Sequence, residues 1–400
     1  MGEVESAERF IPPLVTSGDL PDVVVDIDKS YYQHLDELRE KYPAVRLPRR
    51  DSEIYVFLRA EEARFVLSDF EHFTNRKDED DPYIEDNLLP SSMDPPEHTK
   101  YRNVLQPFFT PRAVRELEDG MKALANRLID GFVADGSCEF IEAFGKPYPC
   151  LIFCQLLDLP LEDVPYLVEH EALVWTPPAE DPDRSLNRRG MEVLRNYLYD
   201  QIKQRRVKPR NGLFDAMLDA EVDDRKLTDY EIVMMALLLC LGGFHTTKGA
   251  LSRQFIHLAR HPEDRRHLRE NPELFPRFVE EMIRIYSMGE TFRIVKKDFV
   301  LGGVELKKGM LVSAHKPAAN RDPRLFENSK KIDLSRPSRH VGFGAGPHMC
   351  LGLHVARTDM RIALQEWHKR IPDYRMPDGF VVQEQLFAGV GPLEVPLIWR

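Results

Sequence analysis

The segment from Thr228 to about His261 constrains the fold more than any other part of the chain. Thr228-Asp229-Tyr230-Glu231 is a capping box, in which the Thr hydroxyl and the Glu carboxylate each satisfy a free backbone N–H at a helix start. The unbroken apolar run Ile232 to Leu241 follows, and it is far shorter than the roughly 20 residues of a membrane span. It reads as a helix crossing a protein core. Gly242 and Gly243 then interrupt it, each weakening a helix by roughly 1 kcal/mol relative to alanine, so close approach of another group is the expected reason for them.

Around that helix the pattern is mostly helical. Ser30 to Lys41, Ala60 to Ser68, Pro111 to Ala134, Tyr148 to Leu157, Leu161 to Trp175, Arg184 to Arg206 and Pro262 to Asn271 carry apolar residues three and four apart. Strands are expected at Glu53 to Leu58, at Phe299 to Leu306 with a Gly302-Gly303 turn, at Met310 to Ala314, and as a C-terminal pair around Val381 to Ile398. With no βαβ alternation, a mainly α fold with a small β part is predicted.

No linker, charge block or low-complexity segment divides the 400 residues, so one domain is expected over 1–400. Hydrophobic residues make up 42% and charged residues 30%, enough for a sizeable core. A net charge of -11 argues against nucleic acid, because phosphate binding needs a basic surplus. The polar N-terminus lacks a signal-peptide core, and Cys138, Cys150, Cys154, Cys240 and Cys350 form no disulfide framework. These features point to a cytoplasmic protein without a membrane anchor.

One cysteine stands apart. Cys350 lies in Phe343-Gly344-Ala345-Gly346-Pro347-His348-Met349-Cys350-Leu351-Gly352, where glycines permit positive φ and close approach of a flat partner, and Phe343 can shield the sulfur from water. A helical pattern resumes at Leu351, so free backbone N–H groups at a helix start can stabilise a thiolate. The same residue types would also serve a free structural cysteine in a Gly-rich turn.

The whole run resembles the haem-binding loop of the cytochrome P-450 family, F-x-x-G-x-H-x-C-x-G, the haem-thiolate monooxygenases of soluble bacterial type. The resemblance extends from about Asp94 to the C-terminus and implies the P-450 fold, with haem b between the long helix and the Cys loop. It makes Cys350 the proximal iron ligand, whose thiolate donates electron density that favours O–O cleavage. Asp94-Pro95-Pro96-Glu97-His98-Thr99-Lys100-Tyr101-Arg102 matches the family's D-P-P-E-H-x-x-x-R and assigns His98 and Arg102 to the haem propionates. Arg293 and His340 match two further propionate contacts, and His348 is added from within the loop. Glu281 and Arg284 match the structural E-x-x-R, with Arg336 as the third member.

On the distal side the family carries A-G-x-D/E-T, where an acid and an alcohol order water and deliver protons. The aligned residues here are Gly242-Gly243-Phe244-His245-Thr246, so the glycine groove and the alcohol are kept and a histidine replaces the acid. A histidine as a residue type suits proton transfer, so His245 could form a relay with Thr246, though it would equally serve to fill a kinked helix. By family position the substrate pocket draws on Tyr83, Ile84, Leu88 and Leu89, on Trp175 and Thr176-Pro177-Pro178, on Leu241 and Phe244, on Met288 and Thr291, and on Leu386 and Phe387. This largely apolar set implies a lipophilic small molecule, with Glu290 and Thr291 as nearby polar groups.

The resemblance further implies insertion of one oxygen atom from O2, with electrons from a separate ferredoxin or flavodoxin and its reductase. Arg112, Arg339 and Arg357 are candidates to face that carrier. A peroxide-driven or otherwise atypical haem-thiolate oxidase is the alternative that His245 raises, and a non-catalytic haem protein binding a small ligand is a third reading.

Overall fold

The computed structural model describes residues 10–15, 23–49, 52–76, 87–177, 180–210, 212–385 and 391–400. Its helices are α1 (Gln33–Lys41), α2 (Ala60–Ser68), α3 (Glu97–Leu105), α4 (Pro111–Asp130), α5 (Pro147–Leu157), α6 (Val164–Val174) and α7 (Ser185–Val207). They continue with α8 (Leu213–Asp219), α9 (Asp229–Arg260), α10 (Pro262–Glu270), α11 (Phe275–Ile285), α12 (Lys316–Asn320) and α13 (Leu353–Arg370).

α9 is the axis of the structure. Both bonds of its capping box form: the Glu231 N–H donates to Thr228 Oγ1 at 3.3 Å, and the Thr228 N–H donates to Glu231 Oε2 at 2.7 Å. Arg225 and Tyr101 also donate to the Glu231 carboxylate, which ties α3 to the start of α9. These hydrogen bonds, led by the one from Arg225, hold the Glu231 carboxyl well below the usual carboxylate range. α9 is long and apolar enough to cross a membrane by length and composition, yet 67% of its most apolar window is buried among α5, α7, α10, α11 and α13. The expectation of a core helix therefore holds.

The far half of α9 is locked to α13 through aromatic packing. Trp367, fully buried, sets its indole edge-on against Phe255 of α9 at 4.8 Å between centroids and against Phe144 at 5.7 Å. Rings in that arrangement gain about 0.5–1.5 kcal/mol per pair beyond their buried area. Because α13 begins directly after Cys350, this contact fixes the loop's exit relative to the central helix.

The largest sheet has five strands, β1 (Ala44–Arg49), β2 (Ser52–Phe57), β3 (Phe73–Thr74), β4 (Glu290–Val295) and β5 (Leu311–His315), in the order β1-β2-β5-β4-β3. β5 runs parallel to β2, with Leu311 opposite Ile54, and antiparallel to β4, with Val312 opposite Arg293. The predicted strands near residues 53 and 310 are present, as is the Phe299–Leu301/Val304–Leu306 hairpin. β1 was not foreseen, because Pro48 argues against a strand; it sits at the sheet edge, where a missing N–H is tolerated.

The expected C-terminal pair takes a different form. Gln383–Gln385 pairs with Gly391–Pro392 and with Val23–Val25, whereas Pro396–Ile398 pairs with Ser137–Glu139. Partners that distant in sequence leave no local signal.

Candidate active site

Between Val341 and Gly352 the backbone forms a tight bulge. Gly344 and Gly346 take φ of 76° and 69°, which side chains rarely allow. At Gly346 a Cβ would fall 2.6 Å from the Ser68 Cα, so the loop is pressed against α2. The Cys350 N–H donates to the Phe343 carbonyl at 2.8 Å, and the Gly352 N–H bonds to the sulfur. Phe343 lies beneath the Arg357 guanidinium, 4.7 Å from the ring centre. Burial pushes the Cys350 thiol up, while that N–H and the charges of Lys316, Arg102 and Arg357 oppose the shift. One N–H bond and three nearby cations thus favour the thiolate against the burial of Cys350.

The middle of α9 carries an open groove. Gly242 and Thr246 are exposed and Gly243 half-buried, although Leu241, Phe244 and His245 around them are buried. A Cβ added at Gly242 or Gly243 would meet no other atom within 4 Å. Thr246 Oγ1 donates to the Gly242 carbonyl at 2.7 Å, which orients the hydroxyl with its lone pairs free to accept.

Cations and imidazoles gather at one side. His98 is buried on α3, its ring 4.1 Å from that of His348 in the loop; among the described residues His98 Nδ1 and His348 Nε2 are buried without a hydrogen-bond partner. Burial, then neighbouring charge, pushes His98 down to about 4 and His348 to about 3, so both rings are neutral near pH 7. Arg102, one turn after His98, donates to the Met349 carbonyl at 2.7 Å. Arg293 is buried with its Nη1 on the neighbouring Phe292 carbonyl, and burial lowers it to about 10. Lys316 at the start of α12, within electrostatic reach of Cys350, Arg293 and Glu290, is lowered by burial to about 8. Sequence reasoning missed Lys316; its only signal was a lysine set between a β-strand and a run of small residues.

Orphaned imidazole nitrogens, a buried arginine with no carboxylate ion pair among the described residues and a bare glycine face on α9 fit a flat apolar group bearing carboxylates. Haem has that chemistry. His340 stands differently from His98 and His348, since its Nε2 is 3.0 Å from Glu280 Oε1 and its Nδ1 accepts from the Gly342 N–H at 3.0 Å.

Glu281 and Arg284 form a buried fork on α11, with Arg284 Nε 2.8 Å from Oε1 and Nη2 3.0 Å from Oε2. Arg336 Nε reaches Glu281 Oε1 at 3.2 Å, and the Asp333 N–H donates to Oε2 at 3.0 Å. Arg284 also donates to the carbonyls of Asn320, Ser329 and Lys331, stitching the segment before the Cys loop onto α11.

The adjacent Glu280 holds the loop itself. Burial would raise its carboxyl, but hydrogen bonds from His340, Arg357 and Ser338 outweigh this and hold it well below the usual range. A depressed folded value means stability complete above the ordinary glutamate pKa of about 4.3 and lost as pH falls through the folded value. Glu280→Gln should lower the urea midpoint at pH 7, at a cost of about 1–3 kcal/mol, and should flatten the loss of stability between neutral and acid pH. An equal midpoint for the two proteins at pH 7 would exclude this role.

The pocket residues divide. Trp175, Phe244 and His245 line a cavity of about 280 Å³ together with Glu171, Lys248 and Gln385, whereas Leu88, Leu89, Leu241, Met288, Thr291 and Thr246 do not line it. His245 is turned toward α6, with its ring 5.2 Å from that of Trp175 and Nδ1 3.3 Å from Lys248 Nζ. Leu88, Leu89 and Leu241 lie in the main core, and Phe244 packs edge-on to Phe153 at 4.9 Å. Met288 Sδ is 3.9 Å from Arg253 Nη1, and Thr291 is half-buried opposite Ala314. Glu290 is turned into the sheet, accepting from Ser313 at 2.6 Å. Tyr83, Ile84, Pro178, Leu386 and Phe387 lie outside the described residues. Of the basic residues considered for a redox carrier, Arg357 is bound to Glu280 at 2.6 Å, and Arg112 is largely exposed.

Comparison with known proteins agrees with this arrangement. The family model "Cytochrome P450" matches residues 180–367. Nocardicin C N-oxygenase of Nocardia uniformis subsp. tsuyamanensis is 32% identical over 377 residues, covering 90% of this chain and 94% of the relative. Mycinamicin IV hydroxylase/epoxidase of Micromonospora griseorubida is 30% identical, covering 91% and 94%. Among solved structures, CYP101J2 superposes with a TM-score of 0.83 at 30% identity, over 92% of this chain and 93% of that one. With that fold and that sequence likeness, the chain belongs to the cytochrome P450 family as a monooxygenase of bacterial type.

Proposed function

We propose that the chain is a single-domain haem-thiolate monooxygenase that binds haem b through Cys350 and oxidises a lipophilic small molecule. The observation that supports this reading is the positive-φ glycine loop that presents Cys350 with the Gly352 N–H on its sulfur, in a fold whose long buried helix carries the exposed Gly242 and Thr246. When bound, the haem supplies dioxygen activation, so that one oxygen atom enters the substrate and the other leaves as water. His98, Arg102, Arg293 and His348 hold its carboxylates, with His340 acting through Glu280 on the loop. Neutral imidazole N–H groups and buried guanidinium groups pair well with carboxylates taken out of water. Phe343 shields the sulfur from water. Thr246 accepts and passes protons at the groove, and His245 supplies them from the α6 side. Glu281, Arg284 and Arg336 keep the preceding segment in register.

Electrons come from a separate ferredoxin or flavodoxin with its reductase, in the cytoplasm, and the exposed Arg112 is part of the surface that meets the acidic carrier. Raising the salt concentration should slow reduction steeply, and Arg112→Glu should remove much of that dependence. The two relatives are named for oxidising Nocardicin C and Mycinamicin IV, which supports an elaborated organic substrate here as well. Screening such compounds for the haem spin-state change tests the substrate class; an unchanged spectrum across lipophilic compounds would count against it.

The His245 role has its own test. His245→Phe should lower product formed per electron consumed by roughly tenfold, within the range of general acid–base contributions. An unchanged yield would remove His245 from the relay. The turn of His245 away from the groove keeps a second reading alive, a peroxide-driven oxidase needing no relay, and turnover with hydrogen peroxide at the full reconstituted rate would favour it.

A further inference from the structure

We propose that Glu171 of α6 is the displaced acid of the distal relay, loading protons from solvent and passing them through Lys248 to His245 and the Thr246 side of α9. This rests on the His245 reading above.

The geometry of the 280 Å³ cavity carries the inference. Glu171 is 7% exposed, and its Oε1 accepts from the Trp175 indole N–H at 2.6 Å. The same indole lies beside His245, tilted by 32°, and Lys248 Nζ lies 3.3 Å from His245 Nδ1. Acid, amine and imidazole therefore share one chamber, whose mouth includes Glu180 and Leu393, both exposed. A buried carboxylate usually takes a guanidinium partner; this one takes a neutral indole, which orients it without fixing its charge.

The charges facing it agree. From α9 come Lys248, His245 and the Cys240 thiol; from the start of α5 come Lys146, with Glu142 bonded to it, and Cys150; Glu180 lies beyond α6. Burial raises the Glu171 carboxyl to about 7 against the pull of Lys248, and burial also lowers Lys248. Both groups thus exchange protons more readily near neutral pH than their exposed counterparts. A proton taken up by the Glu171 carboxylate crosses the shared cavity to the Lys248 amine. The resulting ammonium donates to His245 Nδ1, and the ring gives up its Nε2 proton from its other edge. Solvent reloads Glu171 and rotation of the His245 ring returns a bare nitrogen to Lys248, so charge and tautomer are restored and no electrons move.

Glu171→Gln keeps the oxygen that accepts from Trp175 but cannot titrate. In the holoenzyme, product formed with O2 and reductant should fall about tenfold relative to product formed with hydrogen peroxide, which brings its own protons and electrons. Glu171→Asp should recover part of that ratio. Independently of turnover, the infrared carbonyl band of a buried carboxylic acid should titrate near neutral pH and vanish in Glu171→Gln. A ratio unchanged in Glu171→Gln but lowered in His245→Phe would overturn this proposal and leave the His245 reading standing. A ratio unchanged in His245→Phe would overturn both. An infrared band that titrates in the ordinary carboxylate range would also overturn the proposal.

Discussion

Cys350→Ser is expected to abolish the thiolate signature of the carbon monoxide difference spectrum and, with it, product formation from O2 and reductant. A serine hydroxyl has the shape to keep the loop closed, since the Cys350 N–H to Phe343 carbonyl bond and the positive φ of Gly344 and Gly346 do not involve the sulfur. The loss therefore isolates ligand chemistry from folding. It should exceed the roughly 10–100-fold loss typical of changes in groups that only support a ligand. Arg293→Ala is a useful contrast, because it removes a carboxylate partner and should weaken haem retention while leaving the thiolate signature of the bound fraction intact. A thiolate signature surviving Cys350→Ser would refute the assignment.

The second large effect is on stability. Arg284→Ala should cost about 3–5 kcal/mol, as expected when one member of a buried ion pair is removed and the other stays behind. Here the penalty has two sources. Glu281 would keep only Arg336 and the Asp333 N–H, and the carbonyls of Asn320, Ser329 and Lys331 would lose their donor. Buried pairs can often be exchanged for apolar residues at little cost, but that remedy should fail at this site. A Glu281→Met/Arg284→Leu double variant still strands three backbone carbonyls and Arg336, so its thermal unfolding should be no better than that of Arg284→Ala. Full recovery in the double variant would show that the pair contributes only its mutual attraction. Arg284→Lys should recover little, since one ammonium cannot reproduce a planar fork reaching a carboxylate and three carbonyls.

Much of this architecture is legible along the chain because its cause is local. The capping box at Thr228 and Glu231, the apolar periodicity of α4, α5 and α7, and the glycines around Cys350 each depend on neighbours within a few residues. β4 is harder to read, since Glu290–Val295 draws its partners from Leu311–His315 and Phe73–Thr74. The same holds for Glu280, whose surroundings come from residues 338 to 357.

The sequence by itself determined the mainly helical class, the central helix, the glycine-bound thiol and the order of the motifs, because hydrophobic period, capping and backbone freedom act over short range. Tertiary structure alone decided which charged groups meet. It set Lys316 within reach of Cys350, left His98 and His348 facing each other with bare nitrogens, and turned His245 from the groove toward Trp175, Lys248 and Glu171. Burial is what gives these encounters their chemistry, since desolvation raises an acid such as Glu171 and lowers a lysine such as Lys248, and burial is a property of the folded chain.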